Sequence, residues 1–121
     1  MSQTTNSKHY DLEERTFEFA KRVRLFVKKL SKTLGAIEDG KQVVRSSGSM
    51  AANYIEANES LSKKDFIMRI KICKKESKES RLWLRLLEIE TGSELEDERI
   101  YLLEECEEIM KIFGAILEKS K

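Results

Sequence analysis

From Phe66 to Leu87 the chain places Phe66, Ile70, Cys73, Ser77, Ser80, Leu84 and Leu87 at strictly alternating intervals of four and three. That spacing keeps every one of these residues on one side of an α-helix and would scatter them over both faces of a strand. A second row, Met68, Ile72, Leu82, Leu86 and Ile89, is broken by Lys75 and Glu79. A helix with two apolar rows must have neighbours on two sides. The segment is predicted to run from about Ser62, with Asp65 as a weak capping-box partner, to about Glu90.

The rest of the chain repeats this period. Phe17, Ala20, Val23, Val27, Leu30 and Leu34 form one row over residues 8–34, with Leu12, Phe19 and Phe26 as a second. Gly35 reads as the helix stop and Asp39-Gly40 as the following turn. A segment over 39–58 takes apolar contacts from Val43, Val44, Met50, Tyr54 and Ile55. A last one opens on Ser93-Glu94-Leu95-Glu96, a capping box, and continues through Leu95, Leu102, Cys106, Ile109, Phe113 and Ile116. No β alternation competes. With 121 residues and no proline, the expectation is an all-α, antiparallel up-down-up-down four-helix bundle occupying residues 8–119. Residues 1–7 are expected to be disordered.

Within the second segment, small and polar residues fill positions where Leu and Ile usually sit. Ser46, Ser49, Asn53 and Glu56 follow at steps of three, four and three, and the centre of the third segment (Glu76, Ser77, Glu79, Ser80) has the same character. Gly48 in a helix interior costs about 1 kcal/mol relative to Ala, which close packing can offset. Small residues allow close helix approach, and a polar group on such a face needs a partner. Asn53 and Glu56 are expected to bond Arg45, Lys75 or Arg81, from the third segment or from a neighbouring subunit.

The net charge of +1 conceals a strong asymmetry: +2 over residues 1–40, +6 over 41–87 and −7 over 88–121. Lys71, Lys74, Lys78, Arg81 and Arg85 follow helical steps and form a basic strip that could track phosphates. The plainer alternative is a solvated face neutralised by the acidic fourth segment.

Residues Arg45-Ser-Ser-Gly-Ser-Met-Ala-Ala-Asn53-Tyr-Ile-Glu56-Ala57, then Phe66, then Lys75-Glu76-Ser77-Lys78-Glu79-Ser80-Arg81-Leu82-Trp83-Leu84 resemble the four-helix-bundle family encoded in 23S rRNA intervening sequences. That family has sometimes been labelled ribosomal protein by homology. The resemblance covers roughly residues 10–118. It implies a small bacterial cytoplasmic protein forming a ring-shaped homopentamer. The enclosing family includes the accessory variability proteins of diversity-generating retroelements, basic pentameric barrels that bind nucleic acid and a reverse transcriptase. The present chain departs from that basic type in its net charge and its acidic fourth segment.

Catalytic and metal chemistry find little support in the residues. Glu56/Glu59, Glu76/Glu79 and Glu104/Glu107 form E-x-x-E pairs, but a di-iron bundle also needs E-x-x-H motifs, and the one histidine is His9. Serines 46, 47 and 49 lack an activating base. Cys73 and Cys106 read as reduced, buried thiols, and Trp83 as a core or interface anchor. No apolar run approaches the roughly 20 residues that span a bilayer. The sequence therefore predicts a non-enzymatic protein with no cofactor and no metal. Its expected partners are copies of itself and RNA, DNA or a nucleic-acid-processing protein. The alternative is an oligomeric protein–protein interaction module with no nucleic-acid role. Arg45, Ser49, Asn53, Glu56, Glu76, Glu79 and Trp83 are the candidate polar network and oligomer seam.

Overall fold

A computed structural model describes residues 8–121, with side chains from residue 12 onward. The expectation for residues 1–7 and the side chain of His9 lie outside the described residues. Four helices follow one another: α1 (Lys8–Lys28), α2 (Leu34–Asn58), α3 (Lys63–Leu86) and α4 (Glu94–Lys119). No strand occurs among the described residues. Each helix adjoins its neighbours in sequence, and α1 also adjoins α4, so the four form a bundle.

Side-chain pairs fix the register between neighbours. Arg15 bonds Glu105 and Arg22 bonds Glu98, so ascending numbers on α1 meet descending numbers on α4. The same opposed order joins α2 to α3 through Ser46–Ser80 and Asn53–Arg69.

The alternating row on α3 is buried where it meets α2 and α4: Ile70, Cys73, Ser77, Ser80 and Leu84 are all at 0% exposure. Phe19, Val23 and Phe26 of α1, Val43, Met50 and Tyr54 of α2, and Leu102, Cys106, Ile109 and Phe113 of α4 complete the core. Tyr54 and Phe113 meet diagonally across it, with ring centroids 6.0 Å apart. Of the two rows expected for the first segment, the one spaced by seven is wholly buried on α1, whereas Phe17 and Leu34 at the ends of the other are exposed, and Leu34 belongs to α2.

The first connection differs from the sequence expectation. Helix α1 ends at Lys28, and α2 begins at Leu34, five residues before the expected start at Asp39. Thr33 is the N-cap, its hydroxyl accepting from the amide of Ala36, and so Gly35 and Gly40 lie inside α2. Gly40 is buried, and a Cβ there would sit 3.0 Å from Val27 Cγ1, so α1 and α2 approach closely at this point. Over Gly48 lies the guanidinium of Arg24.

Ser62 and Ser93 cap α3 and α4, accepting from the amides of Asp65 and Glu96. The box at Ser93 is half made, because the Glu96 carboxylate turns to Arg99 at 2.6 Å. Arg99 in turn donates to the carbonyls of Leu84 and Leu87, satisfying acceptors left open at the end of α3. Helix α3 stops at Leu86, short of the expected Glu90, although Leu87 still packs in the core. Gly92, at φ +85°, turns the chain into α4 in a conformation that favours glycine.

Candidate functional site

The small, polar stretches of α2 and α3 face each other. Ser46 and Ser80, both fully buried, share a hydrogen bond of 2.7 Å. Beside them a continuous polar chain runs along the seam. Arg45 donates to Glu79 at 2.9 Å and to Glu76 at 3.2 Å. Ser49 donates to the other oxygen of Glu76 at 3.2 Å. Asn53 donates to the carbonyl of Ser49 at 2.9 Å and accepts from Arg69 at 2.8 Å.

Burial is uneven along this chain. Glu76 is 6% exposed, so its carboxylate relies on Arg45 and Ser49 for the solvation that water would supply. The Arg45 side chain is 51% exposed, and the hydrogen bond to Glu76 raises its already high pKa further. The arrangement is an ion pair at the mouth of the seam with its acid end inside. Glu56, expected in this network, is exposed instead, and among the described residues its carboxylate makes no hydrogen bond or ion pair. Glu56 keeps the face of Ser49, seven residues back, but it lies near the C-terminal end of α2, and Arg69 of α3 is already held by Asn53. Lys75 is exposed, and Arg81 points to α4.

The basic strip divides. Lys71, Lys78 and Arg85 are exposed, seven residues apart along α3, and make no ion pair among the described residues. Lys74 is half-buried and lies against α4, its Nζ 3.9 Å from where a Cβ on Gly114 would stand. Arg81 pairs with Glu107 of α4 at 3.8 Å. Trp83 packs against the core, and its buried Nε1 has no hydrogen-bond partner among the described residues.

The family model of the 23S rRNA-intervening sequence proteins matches residues 8–115. The chain belongs to that family. A solved structure is similar over nearly the whole fold: a protein of unknown function from the S23 ribosomal protein family of Bacteroides thetaiotaomicron. It shares 28% identity at a TM-score of 0.77, with 93% of this chain and 99% of that one covered. No curated protein matches the chain.

In this intervening-sequence family protein, several interhelical partners had not been expected from sequence. Arg69, which holds Asn53, lies seven residues before Glu76 and so on the same face of α3, a usable signal. The pairs Arg15–Glu105 and Arg22–Glu98 tie α1 to α4, and Arg22 also stacks on Tyr101 at 3.8 Å. Cys73 and Cys106 are buried free thiols that donate to the carbonyls of Met50 and Ser77. Burial pushes both up to about 12, leaving them protonated and unreactive at neutral pH. No group of three or more His, Cys, Asp or Glu placed to hold a metal occurs among the described residues. No described helix is long and apolar enough to cross a membrane.

Proposed function

We propose that the protein is a non-enzymatic, cytoplasmic scaffold: an antiparallel up-down-up-down bundle that assembles into a homopentameric ring and engages RNA or DNA, or an enzyme acting on them, through α3. The observation that carries the nucleic-acid part is the line of Lys71, Lys78 and Arg85. Three exposed cations that make no ion pair among the described residues, about 10 Å apart along one helix edge, form a phosphate-tracking strip, and a ring repeats it through avidity. Family membership supports the assembly, the opposed register of side-chain pairs supports the topology, and the exposed Met68, Leu82 and Leu86 of α3 supply apolar surface for contact between copies.

A salt titration tests the nucleic-acid reading. If three phosphates are engaged, affinity for RNA or DNA falls roughly 20–40-fold between about 50 and 200 mM salt. Lys71→Glu/Lys78→Glu/Arg85→Glu removes that dependence without disturbing the fold. Absence of binding at the lower salt removes this reading. The second reading, a protein–protein module with no nucleic-acid role, is favoured by the neutralisation of Arg81 by Glu107 within the same strip.

A further inference from the structure

Where α1 ends and α2 begins, a groove of about 420 Å³ opens beside the buried Gly40. Its walls are apolar, formed by Val27, Leu30, Ala36, Ile37 and Val44. Its rim is basic: Lys32 is exposed and makes no ion pair among the described residues, and Lys41 reaches only its neighbour Glu38, at 4.0 Å with both side chains largely in solvent. A cleft of this kind suits a convex apolar ridge flanked by carboxylates.

The same chain presents such a ridge on the outer face of α4. Ile100 and Tyr101 are 44% and 43% exposed. Asp97 stands three residues before Ile100 and Glu104 four after it, so both carboxylates flank it on the helix surface. Most acids around them are engaged, Glu96 with Arg99, Glu98 with Arg22, Glu105 with Arg15, Glu107 with Arg81 and Glu108 with Lys111, while Glu94 at the start of α4 is exposed. Asp97 and Glu104 are exposed and make no ion pair among the described residues.

The geometry points to a contact in which the Asp97–Ile100–Glu104 ridge of one copy seats in the Lys32–Lys41 groove of the next. This inference rests on the self-assembly reading and names the two surfaces that would carry it. Ridge and groove cannot meet within one chain, because α4 sits diagonally across the bundle from α2 and the ridge faces outward. The two patches differ, so the contact is head-to-tail, the type that closes into a ring or runs on as a filament. A ring closes only with no net translation per subunit, so neighbouring bundles must tilt to take up the offset between the two patches. The ridge lies level with Arg22, through Tyr101 and Glu98, and the groove starts at Val27, about 7–8 Å further along α1.

Sedimentation of the full chain and of three variants tests the contact, with helicity and thermal unfolding confirming that each variant folds. Wild type is expected to assemble. K32E/K41E and D97K/E104K each set like charges against one another and are expected to shift the dissociation midpoint upward at least tenfold. The fourfold charge-swapped chain, K32E/K41E/D97K/E104K, regains complementarity and is expected to recover most of the assembly. Doubly substituted chains that assemble like wild type overturn this contact alone, as does a folded charge-swapped chain that stays dissociated. A monomeric wild type overturns the self-assembly reading and this contact with it.

Discussion

Ser46 and Ser80 hold their hydroxyls 2.7 Å apart at the fully buried contact of α2 with α3. Each satisfies the other where no water reaches, and their small volume lets the two helix backbones come close. Removing Ser46 strands the Ser80 hydroxyl, and removing Ser80 leaves Ser46 only a long 3.5 Å bond to the Val43 carbonyl, whereas removing both leaves two small apolar groups facing each other. Ser46→Ala and Ser80→Ala are each expected to cost about 1–2 kcal/mol, and the double variant clearly less than their sum. Urea unfolding at a fixed protein concentration measures this cycle, and strict additivity would count against the bond.

Glu76 and Glu56 should behave differently although both carboxylates sit in the polar stretches. Glu76→Ala removes an inward carboxylate that Arg45 and Ser49 hold, at an expected cost of about 1–2 kcal/mol. That is below the roughly 3–5 kcal/mol of a fully buried broken pair, because Arg45 is half in solvent and keeps Glu79. Glu56→Ala is expected to stay within about 0.5 kcal/mol. Equal losses at the two positions would show that the seam is wrongly placed.

The glycines of α2 divide by what lies above them. At Gly48 an added Cβ meets the end of Arg24, a flexible side chain that can move, so Gly48→Ala should gain up to about 1 kcal/mol from helix propensity. At Gly40 it meets Val27 Cγ1 at 3.0 Å inside the α1–α2 contact, so overpacking of about 1–3 kcal/mol should outweigh that gain. Thermal unfolding of the two single variants should therefore move in opposite directions.

The two thiols predict an alkaline signature. In the folded chain they ionise at about 12, against 9.0 ordinarily, so between those values the unfolded chain releases protons that the folded chain retains. Stability contributed in this way is intact below pH 9 and declines as pH rises above it. Cys73→Ala/Cys106→Ala should flatten the fall of stability above pH 9 relative to wild type. Thiol labelling of the native protein should be slow at pH 8 and fast in denaturant, and prompt native labelling would contradict the burial.

Helix identity and the core were legible in the sequence because the intervals of three and four are long and uninterrupted, as from Phe66 to Leu87. The α1–α2 boundary was not. Leu30 and Leu34 continue the α1 period, and Leu30 is indeed buried, but it packs from the connection rather than from the helix. Thr33, which sets the real start of α2, carries no Glu or Gln three residues on to announce it. Within the seam, the residue types were readable and their pairing was not. Asn53 could bond any cation within reach, and its selection of Arg69 over Arg45 depends on the relative rotation of α2 and α3, which a one-dimensional pattern does not encode.

The central claim is assembly, and the mass of the protein in solution tests it most directly. Equilibrium sedimentation at micromolar concentration should give five times the 14.1 kDa of the chain, with no appreciable monomer. A single species at the monomer mass under the same conditions would contradict the account.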